Sequence, residues 1–342
     1  MTWYLVESLD LPTAPMSIVA KEGDHREWSG IRRFKRDEGV DLLDLLIQVR
    51  RHATPISQTI TGAKGPRLVE AIPIVGVDGD VYGIHVWVGE TEPSTPPRPA
   101  AAIRWNSGEL QVQQQLESWM MSTDDADGFK RVRSPGEFFR KVVRFDKAPE
   151  LIQIATKPVA GHTFDATITV LHDRGHLMCW QIAARTRDDE HSGMRALTHD
   201  ITDVSPPEIG PLETLGLTAE PDPDAPAAAL LAFPPDSDRA IIALWVTKAP
   251  SWVDWLREGD IELIHPDDQR ELARTTTILA PDLPGHDQHG EIITQARIRA
   301  HTETGWQPVS ITSRRYPGPA GERLHIIRIC KIDQAESGSP PK

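Results

Sequence analysis

Apolar and polar residues alternate most clearly over residues 164–185. Phe164, Ala166, Ile168 and Val170 are interleaved with Asp165, Thr167 and Thr169, the period of two of a strand with one buried face. Asp173-Arg174-Gly175 supplies a turn, and Met178, Trp180, Ile182 and Ala184 carry the alternation back. The pattern predicts an antiparallel hairpin, and it recurs on either side. In 68–89, Val77 and Val81 flank Asp78-Gly79-Asp80, and Ile84, Val86 and Val88 share a face. In 291–329, Ile292, Thr294, Ala296 and Ile298 lead to a turn at Glu303-Thr304-Gly305. Trp306 opens the next strand, and Leu324 to Ile327 lies in a further one. Each hairpin follows a helical segment. The pattern therefore predicts an α+β protein of three tandem domains, each an antiparallel sheet with flanking helices.

Helix signals fill the gaps. Asp41 is placed to cap a helix whose inner face is Leu42, Leu43, Leu46 and Val49, with Arg50, Arg51 and His52 in its last turn. Val112, Leu116, Trp119 and Met120 are spaced as a second helix. Ser134-Pro135-Gly136-Glu137 combines a cap, a first-turn proline and a capping-box glutamate, ahead of a buried face of Phe138, Phe139, Val142 and Val143. Ser251 precedes a short helix carrying Trp252, Trp255 and Leu256. A longer helix starts at Ile264-His265-Pro266-Asp267-Asp268, with Leu272 and Leu279 inside. Proline-rich stretches at 93–99 and 206–226 read as semi-rigid linkers. They give domains at 1–91, 98–205 and 227–333, with 334–342 as a disordered tail.

Composition narrows the function. Of 342 residues, 39% are hydrophobic and 25% charged, as in a soluble globular protein. A net charge of −13 argues against a nucleic-acid partner and against adhesion to anionic lipid. No apolar run reaches the roughly 18 residues of a membrane span. No basic, apolar leader opens the chain, and Cys179 and Cys330 give neither a disulfide framework nor metal spacing. Both are expected to be free and buried, in a cytoplasmic protein.

Little in the sequence carries chemistry. His172 and His176 straddle a turn, and His286 and His289 lie in a Pro/Gly loop; neither pair has the third ligand that zinc needs. No phosphate loop, dinucleotide fingerprint or nucleophile elbow occurs. The candidate ligand-binding residues are Trp245, Trp252, Trp255 and His265 of the third domain. The tryptophans serve equally as core, and His265 with Asp267 and Asp268 serves equally as a helix start.

The Ile264-His265-Pro266-Asp267-Asp268 helix entry followed by three antiparallel strands resembles a PAS domain. PRLVEAIPIVGVDGDVYGIHVWVG in the first domain resembles the closing strands of PAS and GAF domains alike. The whole chain resembles a mycobacterial family of stand-alone, sensor-like proteins in PAS–GAF–PAS order. The resemblance implies a non-catalytic sensor that takes a small ligand and relays through protein partners, with no cofactor specified. It departs from the wider families in lacking the flavin-type cysteine motif, the N-K-F-D-E type of signature and helical linkers. With no output domain expected, the output would be a partner protein. The other readings are a scaffold with filled pockets, or an enzyme with a site between domains.

Overall fold

Strands with one or two apolar faces must bury them, and here they close as three antiparallel sheets in the computed structural model. The structure describes residues 2–109, 111–187, 193–210, 225–235, 237–255, 262–279 and 290–332. The 211–224 stretch of the second linker, Leu256, the His286 and His289 pair, and the expected tail lie outside the described residues.

The first sheet holds β1 (Thr2–Glu7), β2 (Ser17–Lys21), β3 (Asp24–Gly30), β4 (Ile56–Gly62), β5 (Gly65–Val75) and β6 (Val81–Gly89), in the order β3-β2-β1-β6-β5-β4. Two helices lie between β3 and β4 in sequence, α1 (Arg33–Asp37) and α2 (Leu43–His52). The cap position of α2 is Leu42, not Asp41, and makes no side-chain capping bond; Asp41, one residue earlier, accepts the Leu43 N–H at 3.2 Å. The inner face of α2 is Leu45, Leu46 and Val49 with Leu42 just before it, while Leu43 is exposed.

The second sheet holds β7 (Ala100–Asn106), β8 (Gln111–Gln114), β9 (Val132–Arg133), β10 (Val142–Arg144), β11 (Thr163–Leu171), β12 (Leu177–Arg187) and β13 (Gly193–Asp200). Its order is β10-β11-β12-β13-β7-β8-β9. The 164–185 hairpin pairs Phe164 with Ala184, Ile168 with Trp180 and Val170 with Met178. Val112 sits in strand β8, not in a helix, because Val112 and Gln114 are buried between half-buried neighbours. The helix there is only α3 (Leu116–Met120). Ser134 caps α4 (Pro135–Phe138) as read, but that helix ends after one turn and gives way to a 3-10 turn and β10. The helix α5 (Ala148–Thr156), which carried no clear start signal, fills the concave side with Leu151, Ile154 and Ala155.

The third sheet holds β14 (Ala227–Ala232), β15 (Ile241–Trp245), β16 (Ile292–Arg299), β17 (Trp306–Arg315) and β18 (Leu324–Lys331), in the order β15-β14-β18-β17-β16. Its helix α6 (Pro266–Ile278) starts directly after His265 and buries Leu272. Ser251 and Trp252 lie in a turn, and Val253 makes an isolated bridge to Ala300.

One topology recurs. In every sheet the first strand pairs with the second on one side and with the last on the other: β1 with β2 and β6, β7 with β8 and β13, β14 with β15 and β18. Each sheet has its own apolar core.

Two further apolar clusters bind the sheets to one another. Leu5, Leu9, Val19, Ile74 and Tyr82 of the first sheet region pack on Ala102, Ala183 and Leu197 of the second. For this reason β6 is buried on both faces along its whole length. Arg195 of β13 reaches Asp78 at 2.7 Å and Asp80 at 2.5 Å across this seam. The proline stretch lies down on it too: Thr95 O accepts from Trp3 Nε1, and Arg98 grips Asp203 through two nitrogens. At the second seam, Ile152 of α5 packs on Leu230, Ala232, Ile241 and Leu324.

Gly136 is the close approach at that second seam. A Cβ there would lie 2.7 Å from the Ile242 carbonyl oxygen of β15, a backbone atom with no rotamer to give way. Gly136→Ala should therefore destabilise the protein by about 1–3 kcal/mol and loosen the seam. Gly30→Ala, which meets nothing within 4 Å, is the control. Equal thermal unfolding and equal protease sensitivity of the two variants would refute this role of Gly136.

Candidate functional site

The concave face of the second sheet does not close completely on its helical side. It leaves a cavity of about 60 Å³. Strand residues Ile103, Val112, Ile168, Val170, Trp180, Ile182, Met194 and Ala196 form an apolar floor. The opposite wall comes from α3, β9, α4 and the turn after it, and carries Ser118, Trp119, Ser122, Arg133, Glu137, Phe139, Arg140 and Lys141. The capping sequence 134–137 explains this placement. Ser134 Oγ accepts the Glu137 N–H at 3.2 Å, which fixes the single turn of α4. The Glu137 carboxylate does not complete the capping box. It turns to Arg133 at 3.0 Å and Lys130 at 3.2 Å, with Arg299 of β16 at 3.9 Å.

The wall is unusually cationic for an acidic protein. Arg133 Cζ, Lys141 Nζ and Arg140 Cζ lie 4.2, 4.8 and 5.8 Å from the Trp119 ring centroid. Burial pulls Arg133 down to about 10, against the pull of Glu137 and with help from Arg140. Burial also lowers Lys141; Asp173 opposes that, and the neighbouring guanidinium groups reinforce it. Arg140 is lowered by burial in the same way. Arg133 Nε is buried without a hydrogen-bond partner.

The four residues singled out in sequence are brought together only in part. Trp245 is core, and Trp255 meets it edge-on with centroids 6.3 Å apart. Trp252 packs on the same core with Lys331 over its ring. His265 stands apart at the start of α6: its Nδ1 accepts the Asp267 N–H at 3.3 Å, and its ring meets Trp306 edge-on. Asp268 accepts the Arg297 N–H and two guanidinium donors, tying α6 to β16. None of the four residues lines the 60 Å³ cavity. Trp255 instead meets the wall residue Arg140 from the third domain. Its carbonyl accepts from Lys130 Nζ, and Arg140 Cζ lies 5.7 Å from its ring. The sequence offered no signal for Arg133, Arg140 or Lys141 as wall residues.

Other voids are less suited to a ligand. A groove of about 350 Å³ between the first two sheets is lined by Asp10, Arg50, Arg51, Asp80 and Arg195 among others. These side chains are charged, and Arg195 is already committed to Asp78 and Asp80. His172 and His176 stack at 4.5 Å, and no group of three metal-ligating side chains occurs among the described residues. Cys179 is buried; Cys330 is half-buried, less protected than its strand position suggests; both are free. No helix among the described residues is long and apolar enough to cross a membrane.

Residues 2–97 match the family model described as Rv3651-like, N-terminal, a span that runs from β1 into the first proline stretch. The crystal structure of an uncharacterised protein from Mycobacterium tuberculosis is similar over 98% of this chain and 97% of that one, with a TM-score of 0.70 and 17% identity. At that identity the likeness concerns the fold, here the whole three-sheet arrangement. No curated protein matches.

Proposed function

We propose that this protein is a non-catalytic sensor of PAS–GAF–PAS organisation that binds a small ligand in its middle domain and signals to a protein partner. The thrice-repeated strand order supports tandem domains of one kind. The observation that carries the sensing role is the apolar cavity whose wall residue Arg140 also touches Trp255 of the third domain. Occupancy that moves Arg140 changes a contact at the second seam, and a ligand shifts such an equilibrium by its differential affinity for the two states. A cavity of this size is far below the roughly 300–1,000 Å³ of drug-sized sites. The ligand is therefore small, and nucleotide-sized molecules, haem and flavins do not fit. Two thiols without a disulfide suit action in the cytoplasm.

The scaffold reading draws on the third domain, where Trp245, Trp252 and Trp255 pack on the core. Ile293 on the edge strand β16 is 70% exposed, a surface for a partner.

A screen of small apolar compounds by thermal shift, followed by hydrogen exchange on any that bind, tests the proposal. Binding should slow exchange in β11 and β12 and also in β15 across the seam. Protection confined to the middle domain would defeat the relay. A screen with no binder would leave the scaffold reading in its place.

A further inference from the structure

Charge balance in the cavity wall points to the kind of molecule it holds. Three cations line it, Arg133, Arg140 and Lys141, against one carboxylate, Glu137. Arg133 is matched to Glu137 at 3.0 Å, and Lys141 to Asp173 at 2.8 Å just outside the wall. Lys130 shares Glu137 from outside the cavity and is a quarter exposed, so water solvates it. Arg140 has no hydrogen bond and no ion pair among the described residues. Its partners are the faces of Trp119 and Trp255, at 5.8 and 5.7 Å. Ring faces answer the charge of a guanidinium but use none of its five N–H donors. Close by, Arg133 Nε is a second idle donor, on a side chain 3% exposed. Three like charges around one indole repel each other at short range in a poorly hydrated site, so an anion arriving there is drawn by all of them. The protein as a whole carries −13, so this local excess runs against its background.

We infer that the ligand is a small apolar monocarboxylate, its head held by Arg140 with Arg133 alongside and its hydrocarbon body on Ile103, Ile168 and Ile182. The inference rests on the ligand-cavity reading above and narrows it. Arg140 is the wall cation without a carboxylate partner among the described residues, and a single negative charge on the ligand supplies one. A guanidinium offers two parallel N–H donors that fit a carboxylate. The floor is hydrocarbon and aromatic, so the rest of the molecule must be apolar. At about 60 Å³, well below the roughly 150 Å³ that takes up a benzene ring, the cavity limits it to an acid of about two to four carbons.

The test is titration of the full chain with propionate and isobutyrate, alongside propionamide and isobutyramide, read by calorimetry and by tryptophan fluorescence. The acids should bind at least tenfold tighter than their amides. Arg140→Gln should weaken the acids by at least tenfold and leave the amides unchanged, with its fold checked by circular dichroism and thermal unfolding. Arg140→Lys, which keeps the charge and loses the paired donors, should fall between. Amides that bind as well as acids would overturn the carboxylate assignment and leave the cavity reading standing. If neither class binds, both fall. The acid–amide comparison on the unsubstituted protein decides the matter even if Arg140→Gln does not fold.

Discussion

Glu137→Ala is expected to cost about 3–5 kcal/mol, the usual loss when one member of a buried ion pair is removed. Glu137 is 2% exposed, and it is shared by Arg133, Lys130 and Arg299. Without it, Arg133 stays buried with its charge on the Trp119 ring and one hydrogen bond to the Gly128 carbonyl. The damage should spread across the second seam, because Arg299 belongs to the third sheet while Arg133 and Lys130 belong to the middle domain. Calorimetric unfolding should show the middle and third domains weakened together and the first domain less affected. The double variant Glu137→Ala/Arg133→Met should lose less than Glu137→Ala alone, since it removes the stranded charge as well. A loss below about 1 kcal/mol for Glu137→Ala would mean that the cluster is solvated and that the seam is held by apolar contact alone.

This cluster also marks how far the sequence can be read. The stretch 134–137 announces a capped helix, and Ser134 and Pro135 behave as such. The Glu137 partner Arg133 stands four residues earlier, a spacing a helix reading could have offered, but the link to Arg299 was not legible, because that residue lies more than 150 residues away and no local rule pairs them. The hairpins were legible for the opposite reason. In β12, Met178, Trp180, Ile182 and Ala184 alternate because one face meets the middle core. The other face of β12 is hidden in the sequence. Ala183 packs in the first seam, and Gln181 donates to the Val19 carbonyl of β2 at 3.3 Å. Edge strands were missed where they are polar: DHREWSG in β3 and ISQTITG in β4 have no apolar face long enough to read. The third-domain tryptophans stood out as aromatic residues, and only three-dimensional packing turned Trp255 toward Arg140. Arg140 itself had no signal, because a helix assumed over 138–143 leaves it outside the apolar face.

Acidification should open the first seam. His85 of β6 and His199 of β13 are buried there and line one small void with Trp3, Glu22, Pro97 and Arg98. Burial lowers His85 to about 4. Burial, then His85 and Arg98, lower His199 to about 3, with Asp203 opposing. His325, buried in the third domain, is lowered to about 4 by burial and Arg315. An unfolded histidine titrates near 6.5. Between that value and the folded values the unfolded chain binds more protons, so stability rises with pH through this window. The contribution is complete above about pH 6.5 and is lost as pH falls toward 4. From pH 7 to pH 5, each histidine should account for about 2 kcal/mol of the loss. The first seam feels two of the three: both rings line one void, and their protonated forms would repel each other there, beside Arg98, which pairs with Asp203 and Glu22. Denaturant midpoints at pH 7 and pH 5 measure the total. Lowering the pH also shrinks the net charge of −13, which acts in the opposite direction, so the comparison that decides is with His85→Gln/His199→Gln. That variant should flatten the pH dependence by about 4 kcal/mol between the two conditions, two histidines at the linkage value above. Hydrogen exchange in β6 and β13 should show the seam loosening before the third sheet does. Parallel pH profiles for the variant and the unsubstituted protein would mean that the two rings are hydrated in the native state and that the seam is indifferent to their charge.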